Sequence, residues 1–402
     1  MTKIDHIEYK QAEISLIPDN WKMVRLGEVC ETTQNRDPRM TPDLPFRYVD
    51  ISSVYNRTKQ IIEARTILGK DAPSRARQVI KTNDIIIATT RPNLNAVAIV
   101  SEELHNEICS TGFCVLRPTE LIAPLFLFAF VQTQYFVETL SNQVRGMLYP
   151  AVTDNQVRNI YLPLPPLSDQ HRIAVKIQEI MQEIYNLKSA ISNQSETAKA
   201  LPSAYLREVF ESEDAKKWER RKLGEVAKYI NGRAFKPEEW KQTGIPIIRI
   251  QNLNDPNASF NYFDGDVEEK YKVKNGDLLI SWSASLGVYF WRRGDAVLNQ
   301  HIFKVEEYPD LVFKDFFYFV VNHAMATIKE QIHGATMKHI TKPEFEKIYV
   351  PIPPLKDQRR VASCLQEKIS QVENLQSKIL NQQSAIEVLP QAILRKAFRG
   401  EL

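Results

Sequence analysis

The chain lacks a Cys-x-x-Cys pair, a long apolar segment and a clear surplus of either charge. Its four cysteines, Cys30, Cys109, Cys114 and Cys364, form no Cys-x-x-Cys and sit beside no histidine cluster, so a reduced chain without structural zinc is expected. The most apolar run, residues 121–131, is too short to span a bilayer and reads as the start of a buried helix. No apolar signal core opens the chain, which makes a cytoplasmic location the expectation. The formal net charge is only +3, so a DNA-binding face requires local clustering or a partner that supplies phosphate contacts. Catalytic signatures are missing too: there is no Asn/Asp-Pro-Pro-Tyr, no glycine-rich cofactor loop, no Walker A sequence and no PD-(D/E)xK pattern. Isolated carboxylates such as Asp50 and Asp154 read as turn or surface residues. No catalytic residue, metal site or cofactor is expected.

What is present is a duplication. At 402 residues with 43% hydrophobic content, two or three folded domains are expected. Trp21-Lys-Met-Val-Arg-Leu-Gly-Glu-Val29 returns as Trp218-Glu-Arg-Arg-Lys-Leu-Gly-Glu-Val226. Tyr161-Leu-Pro-Leu-Pro-Pro-Leu167 returns as Tyr349-Val-Pro-Ile-Pro-Pro-Leu355, and Leu201-Pro-Ser-Ala-Tyr-Leu-Arg207 as Leu389-Pro-Gln-Ala-Ile-Leu-Arg395, both at an offset of 188. Ordered, collinear matches indicate an internal repeat. Between the borders the halves diverge within a shared frame. Asn83-Asp-Ile-Ile-Ile-Ala88 parallels Gly276-Asp-Leu-Leu-Ile-Ser281, each a buried strand after a turn. Residues 46–51 and 246–250 also read as strands. Aromatic-rich helices are expected over 124–144 and 314–332, before Gly146 and Gly334. Their Phe126, Phe128, Phe130, Phe316, Phe317 and Phe319 suit core packing better than a stacking platform.

After each Pro-Pro-Leu comes a proline-free stretch of about 30 residues, roughly 45 Å as helix. Its seam runs Ile173, Ile177, Ile180, Ile184, Leu187, Ile191, Gln194, Ala198, Leu201. The second copy runs Val361, Leu365, Lys368, Val372, Leu375, Ile379, Gln382, Ile386, Leu389. Steps of four and three make a heptad. A lone helix cannot bury such a seam, so the two are expected to pair, antiparallel. Gln194 and Gln382 either fix register through a buried amide contact or are tolerated near a wet stretch. Asp169 and Asp357 lie where a cap or first-turn carboxylate is favoured.

Two Leu-Gly-Glu-Val openings, two variable domains, two Pro-hydrophobic-Pro-Pro-Leu-x-x-Gln-x-Arg borders and two long helices together resemble the specificity subunits of type I restriction–modification systems. Segments such as Ala72-Pro-Ser-Arg-Ala-Arg77, Thr90-Arg-Pro92, Ser110-Thr-Gly-Phe113 and Ile248-Arg-Ile-Gln-Asn252 look like those of that family's target-recognition domains. The resemblance implies an α+β fold: two similar target-recognition domains (1–168 and 213–356) separated by an antiparallel pair of coiled-coil helices (169–212 and 357–402), with pseudo-twofold repetition. It implies a bipartite, asymmetric site on double-stranded DNA, two adenine methyltransferase subunits on the helices, and motor–nuclease subunits in the full complex. A specificity subunit of a related system, with the nuclease fused to the methyltransferase, fits the same residues. A coiled-coil scaffold that binds proteins, and an enzyme with an unrecognised site, are the more distant readings.

Base reading needs forked donors or paired donor–acceptor groups on loops and strand ends. In the first domain the candidates are Arg36, Arg39, Arg75, Arg77, Arg91, Asn93 and Tyr149. In the second they are Arg233, Lys236, Arg249, Gln251, Asn252, Trp282, Gln300, His301 and Lys338. Each cation also suits a phosphate contact or a solvated surface, and His301 and Trp282 suit a core equally well.

Overall fold

The computed structural model describes residues 18–144, 150–283, 286–331 and 340–402. These divide into two compact units: the described residues up to Ile191 with Gln382–Leu402, and Ser192–Asn381. In the first, strands Lys22–Arg25 and Tyr161–Leu164 form an antiparallel ribbon. One four-stranded sheet runs Cys30–Glu31, Phe113–Pro118, Ile85–Ala88, Val97–Ile99. The other runs Arg65–Leu68, Pro45–Val49, Ile108–Ser110, Ala76–Val79, its middle strands parallel.

The second unit repeats this plan. Its ribbon pairs Arg220–Lys222 with Tyr349–Pro351. Its sheets run Ala227–Asn231, Ile302–Glu307, Leu278–Ser281, Gly287–Phe290 and Asn261–Phe263, Ile245–Ile248, Ala296–Leu298, Lys272–Val273. The middle pair of the second sheet is again parallel.

The continuous apolar strands have a simple cause. Ile85 and Ile87 face one core, Ile86 and Ala88 another; Leu278 and Ile280 face one, Leu279 the other. Side chains alternate across a strand, so a strand buried on both faces is apolar nearly throughout. The preceding turn is shared as well, with Asn83 at φ +71° and Gly276 at φ +91°, the left-handed region that glycine and asparagine tolerate best. Next to Asn83, Asp84 is buried and binds Arg117 through both oxygens at 2.8 and 2.9 Å.

The helix expected over 124–144 is two helices, Pro124–Phe130 and Gln134–Ser141. Thr133 starts the second one, its hydroxyl accepting from Phe136 N. The second unit has one uninterrupted helix, Lys314–Gln331. Phe126, Phe130, Phe316, Phe317 and Phe319 are buried in the two cores and Phe128 is partly buried, which favours packing over stacking. Gly146 and Gly334 lie outside the described residues.

The long helices, α1 (Leu167–Phe210) and α2 (Leu355–Ala397), exceed the expected length; 44 residues make about 66 Å at 1.5 Å per residue. They run through Pro202 and Pro390. A helical proline cannot donate to the carbonyl four residues back. For Pro202 that carbonyl is Ala198 O, and Gln376 Nε2 of α2 donates to it at 3.0 Å. The helices are antiparallel within each unit. In the first, Arg172 reaches Leu402 O and Lys188 pairs with Glu387; in the second, Ala198 meets Gln376 and Glu208 pairs with Lys368.

The seam departs from the expected stripe. Ile173, Ile177, Ile184, Ile191, Ala198, Leu365, Val372 and Ile379 are buried, and Ile180, Leu201, Val361, Lys368 and Ile386 are half-buried. Leu187, Leu375 and Leu389 are 49%, 43% and 37% exposed, and Gln194 and Gln382 are exposed too. The isoleucine series at seven-residue steps can be completed by a stripe on either side of it. The domain cores select the other side, because Ala174 and Met181 pack with Ile173 and Ile177. The amide that crosses between helices is therefore Gln376, and the register role weighed for Gln194 and Gln382 is not theirs.

A buried glutamine fastens each long helix to its unit. Gln170 Oε1 accepts from Ala123 N at 2.8 Å, and its Nε2 donates to Leu121 O and Pro165 O at 3.1 and 2.9 Å. Gln358, 188 residues later, accepts from Phe313 N at 2.7 Å and donates to Leu311 O and Pro353 O at 2.8 Å.

Candidate nucleic-acid interface

In the first unit, strand ends and turns are stitched into a rim by single backbone hydrogen bonds. Arg36 N donates to Arg77 O at 2.8 Å, Thr111 N to Arg75 O at 2.8 Å, Thr89 N to Gly112 O at 2.9 Å and Arg91 N to Pro150 O at 2.8 Å. The fold thus brings Arg36, Arg75, Arg77 and Arg91 onto one edge from three separate segments. Their availability differs. Arg36 donates to Asn106 O. Arg39 and Arg77 both bind Asp37, at 3.0 and 3.1 Å, and the hydrogen bond from Arg39 holds the Asp37 carboxyl below its ordinary pKa. Arg75 and Arg91 are exposed, and among the described residues their guanidinium groups have no hydrogen-bond or ion-pair partner. Asn93 is exposed beside Arg91. Tyr149 lies outside the described residues.

The second unit builds the same rim from different chemistry. Arg233 N donates to Leu298 O, Asn299 N to Ile248 O, Trp282 N to His301 O and Ile340 N to Trp282 O, which gathers Arg233, Arg249, Trp282, Gln300 and His301. Here the cations rest on rings. Arg233 pairs with Glu239 and lies 4.7 Å from both the Phe235 and Phe263 ring centres; Arg249 lies 5.1 Å from that of Trp240. Such stacking pre-orients a guanidinium at modest entropic cost. Trp282 stacks on Phe303 at 5.7 Å with His301 alongside, and Gln300 Nε2 is 3.1 Å from His301 Nε2. Trp282 and His301 are half-buried, and Trp282 packs against the core of the second unit.

Lys236, which precedes the short turn Pro237–Glu239, and Gln251, in the short helix Ile250–Asn254, are exposed. Asn252 is corrected by the structure: it is buried, its oxygen accepts from Arg249 N, and its amide donates to Ala258 O and Ser259 O. All its polar capacity is used to shape the loop that carries Arg249, which leaves nothing to read a base. Lys338 lies outside the described residues. Lys59, which reaches this region of the first unit, was missed because nothing in Tyr-Asn-Arg-Thr-Lys marks it as other than a surface turn.

No side chain larger than hydrogen fits at Gly232. A Cβ there lies 2.2 Å from Asn299 O and 2.4 Å from Leu298 O, both backbone atoms. Gly232→Ala is expected to push apart the two segments that hold Arg233 and Gln300, costing about 1–3 kcal/mol. Chemical denaturation checks this; a change under about 0.5 kcal/mol, the range of neutral surface changes, would show that the rim yields freely.

Burial raises the pKa of the Cys30 thiol to about 12 and that of Cys109 and Cys114 further, which makes them inert core side chains. Among the described residues no group of three or more His, Cys, Asp or Glu side chains converges as a metal site would require.

The family model for the type I restriction modification DNA specificity domain matches twice, over residues 18–197 and 215–383. A chain solved in work on complex assembly and conformational transition of the type I R-M system is 32% identical, with a TM-score of 0.83, over 96% of this chain and 99% of that one. The crystal structure of the HsdS subunit from Thermoanaerobacter tengcongensis is also 32% identical, with a TM-score of 0.73, over 96% of this chain and 98% of that one. The MjaVIII specificity subunit of Methanocaldococcus jannaschii is 22% identical over 98% of this chain and 96% of its own length. The EcoBI specificity subunit of Escherichia coli is 29% identical over 46% of this chain and 39% of that protein. With both halves matched and both repeats built on one strand order, the chain belongs to the type I restriction–modification DNA specificity family.

Proposed function

We propose that this chain reads a bipartite, asymmetric DNA sequence and delivers the methyltransferase and motor–nuclease subunits of a type I restriction–modification complex to it. The observation that carries the reading is the pair of rims: one strand order, two sets of donors. The first rim presents two arginines without a partner, Arg75 and Arg91, beside the engaged Arg36, Arg39 and Arg77, and the second presents ring-stacked arginines with Trp282, Gln300 and His301. Equal scaffolds with unequal side chains read unequal half-sites. Residues 1–168 and 213–356 serve as the readers, and 169–212 and 357–402 as spacer helices that set the unread gap and dock two adenine methyltransferases. Chemistry and cofactor belong to those partners, and this chain itself is non-catalytic. The complex works in the cytoplasm; among the described residues no helix is long and apolar enough to cross a membrane.

Methylome sequencing of cells that express the chain with its methyltransferase tests the reading. The expected result is N6-methyladenine in both halves of a split, asymmetric motif; a continuous or palindromic motif overturns it. Arg75→Ala and Arg91→Ala are expected to relax one half-site only, and Arg249→Ala and Gln251→Ala the other, by about 1–3 kcal/mol at the affected base pair. Equal weakening on every sequence would assign these side chains to phosphate.

A further inference from the structure

Five non-glycine residues in the described chain have positive φ, and three of them meet at one place. Arg91 at +50° and Asn95 at +46° flank the short turn Pro92–Leu94, and Lys59 at +56° touches it. Side chains disfavour this backbone region, and such residues persist only where their surroundings hold them. Several contacts do so here. Pro92 is buried, Arg91 N is bonded to Pro150 O, and the helix Gln134–Ser141 packs on the turn. On the remaining side the ammonium of Lys59 donates to the Asn95 carbonyl. Lys59 belongs to a hairpin, Val54–Tyr55 with Gln60–Ile61, that packs on strand Val97–Ile99. Burial pulls the Lys59 amine pKa down to about 8, so its charge is kept at a desolvation cost.

The turn offers three kinds of side chain to solvent. Arg91 and Asn93 are exposed, and Leu94 is 48% exposed at the tip. A guanidinium, a carboxamide and an alkyl group are the chemistries that match guanine, adenine and the thymine methyl in a major groove.

We propose that the turn 91–95 is the reading head of the first unit and that Lys59 is its positioning residue, clamping the Asn95 carbonyl so that Arg91, Asn93 and Leu94 meet base edges at a set angle. This rests on the DNA-reading function proposed above. It adds a specificity determinant that touches no base, on a hairpin outside the rim.

The test uses the full chain with its methyltransferase and methylome sequencing, comparing wild type with Arg91→Ala, Lys59→Met, Lys59→Arg and Lys59→Gly. Lys59→Met keeps the apolar stem and removes the donor. Lys59→Gly relieves the strained φ and also removes the donor, so a loss shared by both belongs to the amine and not to a misfolded turn. Both are expected to relax the same base pairs of one half-site that Arg91→Ala relaxes, with discrimination falling about tenfold or more, while the other half-site stays intact. Lys59→Arg is expected to restore discrimination. If Arg91→Ala relaxes its half-site and Lys59→Gly reads like wild type, the positioning role is overturned and the DNA-reading function stands. If Arg91→Ala leaves both half-sites unchanged, the turn is not a reading head and the assignment of this rim to DNA fails with it.

Discussion

A fragment of residues 1–212 is expected to form a homodimer and, with the methyltransferase, to mark a palindrome built from the first half-site. The reason lies in which side chains close each core. In the first unit the end of α2 inserts Leu394, Ala397 and Phe398, with Phe398 4.9 Å from Phe126 and 5.4 Å from Phe130. In the second unit the end of α1 inserts Leu206 and Phe210, with Phe210 5.7 Å from Phe316. Leu206 and Phe210 stand 188 residues before Leu394 and Phe398, so the fragment carries both the socket and an equivalent plug. Two copies exchange plugs, each returning about 1.5–3 kcal/mol per buried large side chain. The exchange has a defined flaw. Lys188 pairs with Glu387 in the intact chain, and the residue 188 positions before Glu387 is Lys199. The dimer therefore sets Lys188 against Lys199 twice. Lys199→Glu is expected to tighten it by about 0.2–1 kcal/mol per restored pair. Sedimentation velocity at ~10 μM, a concentration at which about −8 kcal/mol suffices, is the check. A monomeric fragment, or one that Lys199→Glu weakens, would mean that the two seams are not interchangeable.

Replacing Gln170 by leucine is expected to unfold the first unit's junction with α1. Leucine fills similar space but abandons Ala123 N, Leu121 O and Pro165 O in a site where the side chain is 1% exposed. Each orphaned buried group costs about 1–3 kcal/mol, so a total of roughly 3–9 kcal/mol is expected against a usual domain stability of about 5–15 kcal/mol. Gln358→Leu should do the same in the second unit. Thermal unfolding followed by circular dichroism measures both, and a loss below about 1 kcal/mol at either site would sink the account. Glutamate at 170 is no rescue near neutral pH, because its carboxylate accepts from Ala123 N but faces two carbonyl oxygens.

Of the candidate site, residue chemistry was legible and availability was not. Arg75 and Arg91 stand free, whereas Arg77 and Arg39 are tied to Asp37 and Asn252 is turned inward. An arginine in a loop looks the same whether its carboxylate partner lies nearby in the chain or 40 residues earlier, as Asp37 does for Arg77. Lys59 and Asn95 are likewise 36 positions apart, and a contact between one side chain and one backbone carbonyl leaves no pattern in composition or spacing.

The sequence by itself determined the duplication, the two-faced burial of Ile85–Ala88 and Leu278–Ser281, the long helices and the family, because each depends on local periodicity or on collinear repetition that one chain displays in full. Only the tertiary structure decided which stripe of α1 and α2 is the seam, that α1 runs on past Pro202 with help from Gln376, and which donors on the rims are free. The physical reason is common to all three. A stripe is buried, a carbonyl satisfied or a guanidinium neutralised by whatever group the fold brings against it, and apart from close pairs such as Asp37 with Arg39 that group lies tens of residues or more away in the chain.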